Sequence, residues 1–335
     1  MIGDIKSFIK DKDKGKDISF DLSEWNSVLD KSDDILIAHQ KSTVDYYISY
    51  FKGENLSLVL YENNKAVGVF PLFVCHGEDG WLISGNSLIK PLFVNNIAKK
   101  TKKRIEKQLV EIVYAIAKRL EVKKIKLIDS NMLLSNWYML WLEKASKSFL
   151  TYQLAIDLKL SINDIRLGFR KSYRPLVNKA LKEWDTKVYE GNIDDVFEEF
   201  RLLHRKVAGK VTRPIDSWRI QKKQIDLAES FIVTVHDKLN TMIGCGLFVY
   251  SGYQGMYSVG AYKRELFDKP IGHAVQMRAI ESLKQKGCLW YEIGQKHLAV
   301  DKIKPTDKEL SISHFKEGFS TRIVARQHLI VKIYS

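Results

Sequence analysis

The 335-residue chain has few cysteines and prolines, three and six respectively. It also lacks any apolar run near the roughly 18 residues that a membrane-spanning helix needs. The longest apolar candidate, 66–75, has the length of a buried strand. Cys75, Cys245 and Cys288 lie in separate apolar stretches without metal-ligand spacing. They read as reduced core thiols, which argues against a disulfide framework or a zinc site, and no structural metal is expected. The opening residues, MIGDIKSFIKDKDKGKD, mix Lys with Asp and have neither the apolar core nor the small-residue cleavage site of a secretory signal. The expectation is a cytoplasmic protein.

What is present can fill substantial cores: 45% of residues are hydrophobic, including 15 Phe, 15 Tyr and 7 Trp. Because single cores stop growing near roughly 250 residues, the length favours two domains. A formal net charge of +14 predicts attraction to polyanions such as RNA, the phosphates of CoA, nucleotide sugars or anionic lipid headgroups. Lysines dispersed over solvated helix faces give the same number, so tRNA and peripheral membrane contact stay open as partners. DNA is not expected, and no aromatic-and-basic platform for single strands stands out.

An internal repeat organises the chain. In the first half, strands at 56–61, 66–74 and 81–84, with a polar turn at Glu62–Lys65, precede an amphipathic helix over 98–120 and a strand at 124–129. In the second half, strands at 231–236, 242–250 and 254–260 precede a helix over 273–286 and a strand at 289–294. AVGVFPLFV and MIGCGLFVY occupy corresponding places. The expected fold is therefore α/β with mixed sheets, duplicated in tandem. The domains are placed at 1–150 and 151–320, with 321–335 a final strand that could join either. A strand over 154–160, one basic helix over 162–181 and helices over 194–206 and 216–229 complete the second half.

Three segments carry candidate chemistry. The loop AYKRELFDKPIGHA places Lys263, Arg264 and Lys269 before a helix opened by Pro270 and Gly272, where free amides and the helix dipole favour phosphate. The segment FRKSYRPLVNKALK offers Arg170, Lys171, Tyr173, Arg174 and Lys179. The segment LLHRKVAGKVTRPIDSW offers His204, Thr212, Arg213 and Trp218. Tyr257 and Gln295, on strands flanking the basic loop and the C-terminal segment, are further substrate-binding candidates. Glu292, on the last strand of the repeat, is a candidate base for an attacking amine.

The run Lys269-Pro270-Ile271-Gly272-His273-Ala274 resembles the CoA-pyrophosphate motif of GNAT enzymes, an Arg or Gln followed by x-x-Gly-x-Gly/Ala, with Lys in the first position. YEIGQKHLAVDKIKPTDKELSISHFKEGFS resembles the ending of FemAB-like transferases, a Tyr-Asp/Glu-x-Gly strand followed by Phe-Lys-x-Gly-Phe. The resemblance implies two GNAT-like domains with the active site in the second. It implies a charge-stabilising Lys316 beside Phe315, Gly318 and Phe319, and a donor contacted by Lys263, Arg264, Lys269, Gly272, His273 and Ala274. His204, Thr212, Arg213 and Trp218 would line the acceptor cleft, with the basic helix facing an anionic substrate. The first domain would serve as scaffold and substrate wall, and the heptads of the family's coiled-coil arm are missing.

The first expectation is N-acyl transfer from acyl-CoA to an amino group of a sugar or lipid-linked envelope precursor. The second is aminoacyl transfer from aminoacyl-tRNA to a peptidoglycan precursor. The third is a non-catalytic scaffold of the same fold.

Overall fold

A computed structural model describes Ile5, Ser7 and residues 18–85, 87–129, 135–301 and 303–334. Backbone contacts divide it into one unit of 1–150 with 325–335 and a second of 151–324. Among the described residues, no helix is long and apolar enough to cross a membrane.

The first unit holds β1 (Ile18–Ser19), α1 (Trp25–Leu29), α2 (Lys41–Phe51), β2 (Glu54–Asn55), β3 (Leu58–Glu62), β4 (Lys65–Phe70), β5 (Phe73–Gly77), β6 (Gly80–Ile83), β7 (Leu92–Phe93), α3 (Lys99–Arg119), β8 (Lys124–Ile128) and α4 (Asn136–Leu142). Asn63 and Asn64 both take positive φ in the turn between β3 and β4, the conformation a tight hairpin needs.

The sequence reads 66–74 as one strand, but the structure divides it. Pro71 has no N–H for a ladder, so β4 ends at Phe70 in a sheet ordered β1-β3-β4-β7, and β5 begins at Phe73 in a sheet ordered β2-β5-β6. The Leu72 amide between them donates to Ser57 Oγ at 3.1 Å. The predicted stripe of α3, comprising Ile105, Leu109, Ile112, Val113 and Ile116, is buried against Leu58, Leu60 and Phe70.

The second unit runs through β9 (Lys147–Asp157), α5 (Ile162–Gly168), α6 (Tyr173–Glu183), β10 (Asp185–Tyr189), α7 (Asp194–Ala208), α8 (Ile215–Asp226), β11 (Ser230–His236), β12 (Met242–Tyr250), β13 (Gln254–Tyr262), α9 (Ile271–Gln285), β14 (Trp290–Lys296), α10 (Asp307–Glu317) and β15 (Arg322–Lys332). The chain passes from the first unit to the second within β9 and returns within β15. There His328–Lys332 pairs antiparallel with β8.

The single helix expected over 162–181 is also two. Pro175 cannot donate to the carbonyl four residues back and its ring crowds that position, so a helix accepts it only in its first turn. Phe169 is extended at φ −64°, ψ 150°, and α6 restarts at Tyr173, which leaves Pro175 in a first turn where an N–H would be unused.

Five strands pair in the order β10-β11-β12-β13-β14, and β9 lies antiparallel beside β14. α9 packs on the face carrying Gly244 and Gly246. A Cβ at Gly244 would stand 2.6 Å from Ile271, and one at Gly246 would stand 2.9 Å from Val275. α7 and α8 cover the other face through Phe197, Phe200, Trp218 and Ile225, against Cys245, Leu247, Val259 and Ala261.

Candidate functional site

β13 and β14 run parallel and pair over three rungs only, Gln254–Trp290, Gly255–Tyr291 and Met256–Glu292. Beyond these rungs β13 follows β12 to Tyr262, and β14 follows β9 to Lys296. Each strand has a register shift where the two part, between Leu247 and Phe248 on the partner of β13 and between Glu292 and Gly294 on β14. Bulges bend strands and increase twist. The result is a wedge between two diverging strands, opening toward Tyr262 and Lys296.

Lys316, in the last turn of α10, projects to the start of this wedge. Its Nζ lies 5.1 Å from the centre of the Tyr257 ring, and a Cβ on Gly294 would be 2.6 Å from it. Gly294 is thus the place on β14 where a side chain is missing so that an ammonium can lie against the backbone. Burial alone pushes the Lys316 ammonium below its ordinary range, and no carboxylate pairs with it among the described residues. The neighbouring Glu317 is engaged by Lys296 at 2.6 Å. Beside Lys316, Tyr257 and Tyr262 share a hydrogen bond of 2.9 Å. Burial raises both phenols, and a Cβ at Gly260 would collide with the Tyr257 hydroxyl.

An aromatic cage holds α10 in place. Tyr173, His273, Phe315 and Phe319 meet with ring centres 4.4–6.0 Å apart. Tyr173 Oη donates to the Phe315 carbonyl at 3.2 Å. Arg170 donates to Tyr173 Oη at 3.2 Å and to the His314 carbonyl at 3.0 Å. A guanidinium on the last-turn carbonyls suits the negative end of the helix. Arg170 and Tyr173, expected as substrate contacts, are therefore occupied in fixing the helix that presents Lys316. Arg174 donates to the Leu167 carbonyl and closes α5.

The cations of the basic loop make contacts within the protein. Lys269 is exposed and pairs with Asp268 at 3.0 Å. Arg264 donates to the Val207 carbonyl at the end of α7. Lys263 lends its amide to the Ile243 carbonyl at 2.9 Å. The His273 and Ala274 amides both point back to the Pro270 carbonyl, and the open side of Gly272 faces the Phe315 ring, 3.0 Å from a would-be Cβ.

His273 is buried in the cage with no hydrogen-bond partner for either ring nitrogen among the described residues, and burial lowers its pKa from 6.5 to about 4. In the first unit, His39 accepts the Leu36 amide on Nδ1, so its Nε2 donates to the Lys90 carbonyl at 3.0 Å, and burial lowers it to about 3. Both imidazoles are neutral when folded and gain a proton near pH 6.5 when unfolded. Stability is therefore complete above pH 6.5 and is lost as pH falls toward the folded values, by about 3 kcal/mol for His273. The thermal midpoint is expected to drop steeply between pH 6.5 and about 4, and less so in His273→Leu. An equal slope in both proteins would show that His273 does not drive it.

His204, Thr212, Arg213 and Trp218 group on the α7/α8 face of the sheet, opposite α9. The Arg213 guanidinium stacks 4.7 Å over Trp218, His204 meets the edge of the same ring at 5.2 Å, and burial with Arg213 lowers the His204 pKa. The Thr212 hydroxyl is buried without a hydrogen-bond partner among the described residues. The structure does not group His204 with Lys316, because the sheet lies between their clusters. Two residues that the sequence reading passed over complete this side: Gln221 accepts from Arg213 at 3.0 Å and donates to Ser258 at 3.4 Å. Ser258 follows Tyr257 on β13, so the strand presents one residue to each face at the wedge. Glu292 stands at the last paired rung, between Tyr291 and Ile293, which are buried in the core beneath α9. Gln295 is exposed, opposite Gln153.

No protein-family model and no curated protein matches the chain. Solved structures do. FemX superposes with a TM-score of 0.68 over 93% of this chain and 97% of that one, at 13% identity. L-PGS from Bacillus licheniformis gives 0.62 over 94% and 93%, at 11% identity. The C-terminal domain of a putative lysylphosphatidylglycerol synthetase from Agrobacterium fabrum gives 0.58 over 92% and 93%, at 8% identity. The chain thus has the tandem GNAT-like fold of FemX and L-PGS, the fold implied by its FemAB-like ending.

Proposed function

We propose that the second unit is an acyltransferase whose donor is an aminoacyl ester carried by tRNA and whose acceptor is an amino group on a lipid-linked or nucleotide-linked precursor. The observation that carries this reading is Lys316, a buried ammonium without a carboxylate partner among the described residues, held at the start of the wedge by Gly294 and Tyr257. A fixed cation in a water-poor cleft stabilises the oxyanion that forms when an amine attacks an acyl carbonyl. In that step the C–N bond forms and the C–O bond to the ribose hydroxyl breaks. The amine gives up a proton, for which Glu292, two residues from Gly294, is the candidate acceptor, and the departing oxygen takes one back.

The choice of donor rests on the loop before α9. A CoA pyrophosphate would need the cations that here serve Asp268 and the Val207 carbonyl. The C-terminal domain of a putative lysylphosphatidylglycerol synthetase, whose name gives a lysyl-bearing lipid as the product, is also among the similar structures. The acceptor would enter the wedge from the α7/α8 side, where Ser258 lies beside Tyr257 and the Thr212 hydroxyl has no hydrogen-bond partner among the described residues.

Thermal-shift measurements with aminoacyl-tRNA and with acetyl-CoA separate the two donors, since a ligand stabilises the folded state by mass action. Stabilisation by aminoacyl-tRNA alone, with transfer of its aminoacyl group to an amine, is the expected result. Stabilisation by acetyl-CoA that disappears in Gly272→Asp would restore the thioester reading.

A further inference from the structure

Among the described residues, six large hydrophobic side chains are more than 60% exposed. Five of them leave the same end of the second unit's sheet. Leu239, 86% exposed, is the tip of the turn between β11 and β12. Phe267, at 65%, follows β13, and Val300 and Ile303, at 83% and 79%, follow β14. Pairing of His236 with Met242 and of Gly244 with Tyr262 brings the turn of Leu239 beside the end of β13. β14 runs parallel to β13 and so ends on the same side. Val211, at 71%, joins them because Arg264, just beyond β13, donates to the Val207 carbonyl where α7 gives way to its loop.

These tips do not hold their own loops together. The Leu239 turn is closed by Asp237 Oδ1, which accepts the Leu239 and Thr241 amides at 3.0 Å. The segment after β14 is pinned by the His297 amide on Ser313 Oγ and the Leu298 amide on Asp301, both at 2.9 Å. Basic side chains interleave with the tips. Lys206, Lys210, Lys238, Arg264 and Lys304 are exposed, and residues 205–215 contain four basic residues and no acidic one. On the acidic side, Asp237, Asp301 and Glu309 are bonded within their own turns, Glu199 accepts the Met242 amide and Asp268 is paired with Lys269, while Glu265 and Asp307 are exposed.

We propose that this end of the second unit docks onto an anionic lipid bilayer, with Val211, Leu239, Phe267, Val300 and Ile303 entering the headgroup boundary and the lysines meeting lipid phosphates. Exposed apolar tips among cations match the chemistry of such a surface. A nucleic-acid backbone would use the cations and gain nothing from an unpaired Leu, Val or Ile. The wedge opens toward this end, so docking places its mouth at the membrane. The inference does not depend on the identity of the donor or on turnover.

Co-sedimentation of the full chain with phosphatidylcholine vesicles, with and without phosphatidylglycerol, tests it. Binding is expected only to the anionic vesicles, weakening with salt, and falling by about tenfold or more in Leu239→Ser/Phe267→Ser/Val300→Ser. Equal melting temperatures confirm that the variant is folded. The Phe267→Trp variant gives a second measurement, with a blue-shifted emission on vesicles expected. Absence of binding, or an unshifted emission, overturns the proposal. So does a triple variant that binds normally while Lys206→Ser/Lys210→Ser/Lys238→Ser does not, which would indicate a polyanion such as tRNA. A wild-type dimer that the triple variant converts to monomer would assign the tips to a second copy instead.

Discussion

Replacing Lys316 with alanine is expected to lower turnover by about 10²–10³-fold while leaving substrate binding and the melting temperature largely unchanged. The ammonium is already disfavoured by burial, and nothing of opposite charge on the described protein compensates it. Its removal should not destabilise the fold, and the developing oxyanion is the charge it is placed to meet. The same argument fixes the pH dependence. Lys316 must be protonated to act, so activity falls as pH rises through a pKa lower than that of an ordinary lysine. Steady-state rates with Lys316→Ala and a pH profile of the wild-type check both statements. Unchanged kcat in the variant, or loss of binding with kcat intact, would remove Lys316 from the chemistry. Gly294→Ala gives a second test, read together with its melting temperature because φ of 154° strains any side chain there: its Cβ would stand 2.6 Å from Nζ and push the ammonium aside with its charge intact.

Gly318→Ala is expected to destabilise the second unit by about 1–3 kcal/mol, as overpacking of a filled core does. Gly318 has ordinary helical dihedrals, φ −61° and ψ −16°, so its requirement is for space and not for a left-handed backbone. A Cβ there would enter the Tyr173 ring. That ring cannot swing aside, because its hydroxyl is fixed between Arg170 and the Phe315 carbonyl and its faces meet His273 and Phe319. Since the same contacts orient α10, the variant should lose activity as well as stability. Urea titration of Gly318→Ala measures the first effect. A midpoint equal to wild-type would mean that the cage yields and that Tyr173 is not the constraint.

These two positions show how the Phe-Lys-x-Gly-Phe motif works. Phe315 and Phe319 are cage walls, Gly318 leaves room for Tyr173, and Lys316 alone turns to the wedge. The motif was legible in the sequence, but its division of labour was not. Arg170 and Tyr173 lie some 140 residues earlier in the chain, and no local pattern indicates that they brace α10.

Local patterns settled a good deal on their own. The 3.6-residue period gave α3 its buried stripe, and the alternation and turn residues of 230–262 gave three strands close to their observed limits. The matching order of elements in the two halves gave the tandem α/β arrangement. These features depend on neighbours within a few residues or on comparison of the chain with itself. Two local readings failed at prolines: Pro71 and Pro175 lie in apolar or helical periodicities that hide them, and each breaks its element for want of an N–H.

Tertiary structure alone brought the candidate site together. The parting of β13 from β14, the hydroxyl pair of Tyr257 and Tyr262, and the separation of His204 from Lys316 by a sheet arise from strand pairing between residues distant in sequence. The basic loop shows the same limit from the other side. Its lysine and glycine match a phosphate-binding pattern by spacing, yet Lys269 turns to Asp268 and Gly272 to Phe315. Spacing fixes which backbone groups and charges are near one another, but the free energy of each contact depends on what packs against it, and that is set only when the chain has folded.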